Sequence, residues 1–147
     1  MSDTVVRANV WIVDTNVLVA GLLSTDAASP PVKMVDAMLS GEIRYLLCVE
    51  LLAEYRTVLL RKRIQRRHGM DENEVDALLE ALATSAVVAD IAGRTETALD
   101  AGDNFLWRLL AVRSDAALVT GDARLLENPP PGECVLSPRA WLDEGTS

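Results

Sequence analysis

The chain has 147 residues, half of them hydrophobic, and a formal net charge of −8 at pH 7. That length supports one hydrophobic core and is short for two. Its longest apolar runs, such as Val10–Val13, are strand-length and exclude a membrane span. The opening MSDTVVRA carries no apolar signal core, so a cytoplasmic protein is expected, and the acidic balance taken alone argues against nucleic acid as a partner.

Val10–Val13 is apolar and β-branched, ends at Asp14 and reads as a buried parallel strand. A helix is predicted over 17–23, then a loop, STDAASPP, closed by two prolines. Val32, Val35, Met38 and Leu39 recur at helical spacing and stop at Ser40-Gly41, a helix-ending signal; 45–49 reads as the second strand. From Glu50 the pattern is helical again. Leu51, Leu52, Tyr55, Val58 and Leu59 form its buried stripe, and a basic run ends the same helix, where cations suit the negative pole of the macrodipole. Asp71 and Glu74 make a capping box ahead of the periodic Val75, Leu78, Leu79 and Leu82. A third strand is predicted over 86–91, Asp103 caps a helix through about 112, and 117–120 is the fourth strand. Asp122 starts a short helix ending near Leu126; after the turn PPPGE, Cys134–Leu136 is an edge strand and Pro138 opens a last helical turn with Trp141.

Strands alternating with helices predict an α/β fold: one domain over 1–147 with its core at about 10–136, built on a mostly parallel central sheet of 4–5 strands with helices on both faces. The apolar stripes around Val35 and Leu78 suit either core packing or a homodimer.

Four acids carry the chemistry of this reading. Asp14, Asp103 and Asp122 stand at the mouth of a strand or the start of a helix, and Glu54 interrupts an apolar helix face. Any of the three aspartates serves as a helix cap. Glu54, between Leu51 and Val58, is harder to explain, because an unpaired inward carboxylate is unfavourable. Neither Arg56 nor Arg61 lies at a favoured helical spacing from it. Ligand sites in parallel sheets gather beyond the carboxyl ends of the strands, where Asp14 and Asp122 fall. Clustered carboxylates repel one another unless they hold a hard divalent cation. The acidic balance is also uneven: Arg56, Arg61, Lys62, Arg63, Arg66 and Arg67 share one stretch, either a solvated helix face or a ridge for phosphates. Cys48 and Cys134 lack metal-site spacing and are expected as free thiols. His68, the one histidine, lies in a basic, polar stretch that suits neither a zinc site nor a nucleophile's base.

Over roughly 10–136 the chain resembles PIN domains, the endoribonuclease fold of many bacterial and archaeal toxin–antitoxin toxins of the VapC type. The resemblance is carried by VWIVDTNVLVAGLLS, by CVELLAEYRTVLLR with its inward Glu, and by DNFLWRLLAVRSDAALVTGDARLL, where an acid starts a helix and a later strand runs into Thr-Gly-Asp. It implies that Asp14, Glu54 and Asp103 hold Mg²⁺ or Mn²⁺, that Asp122 completes the site directly or through water, and that Thr15, Asn16 and Thr120 orient the carboxylates. Asp100 is the alternative to Asp103, and Asp115 is a further nearby acid. Trp107, a turn beyond Asp103, is expected to pack rather than to stack on a base. The implied reaction is hydrolysis of RNA to 5′-phosphate and 3′-hydroxyl ends, with the ridge from Arg56 to Arg67 guiding the backbone and an antitoxin protein as partner. Two other readings compete. One is a catalytically silent PIN fold that binds an antitoxin or RNA. The other is a phosphatase or phosphotransfer receiver, which would want a second Asp where Asn16 stands and a lysine after a late strand; the lysines here are Lys33 and Lys62.

Overall fold

A computed structural model describes residues 8–145. Residues 1–7 and 146–147 of the expected domain over 1–147 therefore lie outside the described residues. Five short strands, all paired in parallel, alternate with helices. Strand β1 (Val10–Val13) pairs with β4 (Ala116–Val119), which pairs with β5 (Cys134–Leu136) at the edge. A second, two-stranded sheet joins β2 (Leu46–Leu47) to β3 (Val87–Val88). The expected single sheet of 4–5 strands is thus a three-stranded and a two-stranded sheet. They touch through one parallel bridge, Trp11 to Tyr45, where the Trp11 N–H donates to the Arg44 carbonyl at 2.9 Å.

The predicted 45–49 strand shrinks to two residues for a local reason, and the 86–91 strand shrinks with it because only Leu46 and Leu47 are there to pair with Val87 and Val88. Cys48 already has the extended backbone of a helix cap (φ −125°, ψ 167°), so the chain leaves the sheet to begin α3 (Val49–Leu59). All four residues of β1 and of β4 are buried. A strand buried on alternate residues alike must be covered on both faces, which is why both read as continuous apolar runs. Buried residues from β1, β2, β4 and β5 and from six of the described helices form one contiguous core.

Helix α1 (Thr15–Leu23) begins two residues before the predicted start, because Asp14 caps it directly. It packs on α2 (Pro30–Ser40), whose end at Gly41 takes the left-handed backbone (φ 82°) that the Ser40-Gly41 signal predicts. The contact is close at Gly21, where a Cβ would lie 2.5 Å from Val35 Cγ2 and 2.6 Å from the Pro31 carbonyl oxygen. Val35 is buried and Leu78 is half-buried against the core, whereas Leu39, of the same stripe as Val35, is exposed. The capping box of α5 (Glu72–Ser85) is formed as expected: the Glu74 N–H donates to Asp71 Oδ1 at 2.8 Å and the Asp71 N–H to Glu74 Oε1 at 3.1 Å.

The expected single long helix from Glu50 breaks. It ends at Leu59, Arg61 is extended (ψ 134°), and α4 (Lys62–His68) turns back across α1. His68 fastens this corner: its Nε2 donates to the Leu59 carbonyl at 2.8 Å, and its Nδ1 accepts from the Met70 N–H at 2.9 Å. The histidine therefore supplies a partner that the end of α3 would otherwise lack. A 3₁₀ turn (Ala101–Asp103) leads into α6 (Asn104–Leu110); α7 (Ala123–Glu127) follows β4, and α8 (Pro138–Ala140) runs into a wide π turn, Trp141–Gly145. Trp141 meets the Trp11 ring edge-on, centroids 6.5 Å apart.

Candidate functional site

Register decides which side chains meet. Val13 pairs with Val119 across β1 and β4, so the residues just beyond, Asp14 and Thr120-Gly121-Asp122, emerge side by side. The connection from β1 leads to one side of the sheet while β4 brings the chain back on the other, so the cleft opens where the winding reverses. Asp14 is only 5 % exposed. Its Oδ1 accepts the Thr15 N–H at 2.8 Å, and its Oδ2 accepts the Thr120 hydroxyl at 2.7 Å and the Asn16 amide at 3.1 Å. The Asn16 amide is held in turn by the Gly121 N–H, which donates to its Oδ1 at 2.8 Å. Thr120, fully buried, also accepts the Asp122 N–H at 3.0 Å. One hydroxyl thus ties the end of β1 to the start of α7.

Glu54 reaches the same place from α3. The Thr15 hydroxyl donates to its Oε2 at 2.5 Å, and next to it the fully buried Tyr55 donates its hydroxyl to the Val13 carbonyl at 2.5 Å. Tyr55 pins α3 to the last residue of β1 and so sets where Glu54 stands. Its place in the apolar stripe gave no sign of this second task; a phenol in a row of aliphatics was the available signal. Asp103 is half-buried and makes no side-chain cap bond, because Asp100 caps that turn by accepting the Gly102 N–H at 2.9 Å. The expectation that Asp103 caps the helix is therefore corrected, and Asp103, not Asp100, lines the main cleft.

That cleft, about 500 Å³, is lined by Asp14, Glu54, Asp103 and Asp122 together with Thr15 and Asn16. Burial pushes the Asp14 carboxyl up to about 6, against the hydrogen bonds from Thr120 and Thr15, and the nearby Glu54 and Asp103 push it the same way. Asp103 is raised too, first by burial, then by Asp100, Asp122 and Glu54, with Arg124 opposing. Among the described residues no three Asp, Glu, His or Cys side chains converge as a formed cation site. The acids border a shared space instead of a point. Their chemistry still fits a hard divalent cation: oxygen donors only, with negative charge gathered where burial disfavours it.

The basic stretch divides. Arg56 is bound by Asp76 and Glu72, each at 2.8 Å, and stands apart from the cleft. Arg61 and Arg67 line the cleft itself; Lys62 and Arg66 line a neighbouring depression of about 400 Å³ with Gln65 and Met70. Arg63 is exposed on α4. Asp115 pairs with Arg113 at 2.7 Å and lies outside the site. Trp107 is 6 % exposed and packs as expected. Both cysteines are free; Cys48 is buried, and burial raises its thiol to about 11, which leaves no nucleophile there. No described helix is long and apolar enough to cross a membrane.

The sequence profile described as PIN domain matches residues 10–124. Among solved structures, the chain is similar to a chain of VapBC2 from Rickettsia felis, crystallised bound to a DNA fragment from their promoter. That likeness covers 87 % of this chain and 98 % of that chain at 12 % identity, with a TM-score of 0.55, and it concerns the fold alone. No curated protein matches the sequence.

Proposed function

The chain belongs to the PIN-domain family, and from that premise we propose that it is a divalent-metal-dependent endoribonuclease, the toxin of a toxin–antitoxin pair. The observation that supports this reading most is the gathering of Asp14, Glu54, Asp103 and Asp122 on one cleft at the carboxyl end of the sheet. These four would hold Mg²⁺ or Mn²⁺. When bound, such an ion neutralises the scissile phosphate and lowers the pKa of an attacking water. The chain's own groups do the positioning. Thr120, Asn16 and the Thr15 N–H fix the Asp14 oxygens, and the Thr15 hydroxyl fixes Glu54. His68 and Cys48 are engaged or buried elsewhere, which is consistent with hydrolysis that needs neither. Arg61 and Arg67, which line the same cleft, would draw RNA towards the acids.

An antitoxin protein, and a second copy of the chain, are the partners this reading brings. What supports a protein partner is an apolar groove of about 330 Å³ between α3 and α5, at whose mouth Val49 is 76 % exposed. A catalytically silent PIN fold that binds antitoxin or RNA is the second reading, favoured by the open spacing of the acids.

Purified protein should cut a mixed single-stranded RNA with Mn²⁺ or Mg²⁺ and lose that activity in EDTA or as Asp14→Asn. Cleavage that survives EDTA sinks the metal-dependent mechanism. Metal binding by calorimetry without cleavage of any RNA favours the silent fold.

A further inference from the structure

The acid-lined cleft has a second half of different chemistry. One helical turn beyond Asn16 and Glu54, Ala20 of α1 and Val58 of α3, with Leu23 of α1 and Ile64 of α4, give the same cleft an aliphatic floor, and Arg61 and Arg67 line it as well. Ala20 and both arginines are exposed, and Leu23, Val58 and Ile64 are half-buried. The corner at Leu60-Arg61 creates this arrangement, since only the turn of α4 across α1 brings Ile64 and Arg67 to the cleft. Among the described residues neither Arg61 nor Arg67 forms an ion pair, whereas Arg56 is held by two acids.

We propose that this half is the seat of one unpaired nucleotide of the substrate strand. The base lies face-down on the aliphatic floor, and the phosphates on either side of it meet Arg61 and Arg67. The choice of RNA as ligand rests on the nuclease reading; the chemistry of the seat is independent of it. A base face has no hydrogen-bonding groups to satisfy and suits a floor that offers none, and guanidinium planes stack on bases. Two arginines without acid partners beside the floor favour a chain that carries a phosphate on either side of each base over a peptide. A duplex has its base faces already stacked, so the seat selects a single strand. The cleft volume of about 500 Å³ is also that of a small-ligand pocket, about 300–1,000 Å³. Lys62 and Arg66, in the adjoining depression, continue the phosphate path over α4.

The test is fluorescence anisotropy of labelled oligouridylate with Mg²⁺ present, on an Asp14→Asn background so that the strand is not cut. Three probes are compared: the intact single strand, the same ribose-phosphate chain made abasic, and the strand annealed to oligoadenylate. The intact strand should bind about tenfold tighter than the abasic one, within the range of one base stacked on a protein surface, and the duplex should bind more weakly than either. Ala20→Gln places bulk and an amide on the floor at an exposed helical position that tolerates it. It should bring the intact-to-abasic ratio close to one. Arg61→Gln with Arg67→Gln should weaken both single strands and reduce the log–log salt slope by about 1.4, about 0.7 for each phosphate. Equal affinity for intact and abasic strands, preference for the duplex, or a ratio that Ala20→Gln leaves unmoved overturns the seat. Cleavage by the unaltered chain is scored separately. Uncut RNA with the binding pattern intact sinks the nuclease reading alone, and cutting with the pattern absent sinks the seat alone.

Discussion

Replacing Asp14 by asparagine should make the metal-free protein more stable at neutral pH while abolishing its activity. The carboxyl titrates at about 6 in the fold, against an ordinary 3.8, mainly because it is buried. Between those two values the folded chain keeps a proton that the unfolded chain has lost, so stability falls as pH rises through that window. Above about 6 the whole cost is present, on the order of 3 kcal/mol at 1.36 kcal/mol per pH unit. Asparagine removes this charge and keeps the volume. It also turns one acceptor into a donor facing Thr120 and Asn16, and the Asn16 amide cannot flip because Gly121 holds its oxygen. That mismatch costs about 1 kcal/mol. The net expectation is a variant about 2 kcal/mol more stable than the parent at pH 7.5 and about 1 kcal/mol less stable near pH 3.5. Urea unfolding in EDTA at both pH values measures it, and other titrating groups cancel in the difference. Divalent ion at a hundredfold excess over its Kd should then stabilise the parent by about 2.7 kcal/mol and leave the variant unmoved. A variant no more stable than the parent at pH 7.5 would refute the argument that the burial of this carboxylate outweighs its hydrogen bonds.

Three further expectations rest on contacts elsewhere. Gly21→Ala drives a methyl against Val35 and the Pro31 carbonyl, so α1 and α2 must part; thermal unfolding should show a net loss of about 1–2 kcal/mol even after the gain in helix propensity. Tyr55→Phe removes a buried hydroxyl bond to Val13 and should cost about 1–2 kcal/mol in urea, with a larger effect on kcat than on KM because Glu54 loses its anchor. Arg56→Gln should leave RNA affinity unchanged in anisotropy, since Asp76 and Glu72 already hold this side chain away from the cleft; a clear loss would return Arg56 to the binding surface.

What the sequence shows well is whatever depends on neighbours along the chain. β1 and β4 announce themselves as unbroken apolar runs, the Asp71–Glu74 box by its spacing, and the end of α2 by Gly41. The corner after Leu59 is hidden because no glycine or proline marks it and the apolar stripe continues to Ile64; His68 and the packing of α4 on α1 make the break. Arg56 looks like part of a ridge because the acids that bind it come 16 and 20 residues later. Asp103 and Asp100 are equivalent caps on paper. Only the folded turn shows that Asp100 takes the cap and leaves the Asp103 carboxylate free of it. The candidate site is legible as a set of acids, but their spacing is not, since it follows from where β1 and β4 end, where α6 begins and how α3 is pinned beside β1.

The bond from Thr120 to Asp14 spans 106 residues, and that distance imposes a schedule. As the chain is made, β1, α1 and α3 emerge first, carrying Asp14 and Glu54. Asp103, Thr120 and Asp122 arrive last, and β4 must then slot in beside β1. The 68 residues from Glu54 to Asp122 take about 3–14 s to add at about 5–20 residues/s. For that interval the growing polypeptide holds half a cleft. A chain cut short anywhere before β4 never gains Thr120 and Asp122, so whatever the finished molecule does to its surroundings begins only after that strand has been made.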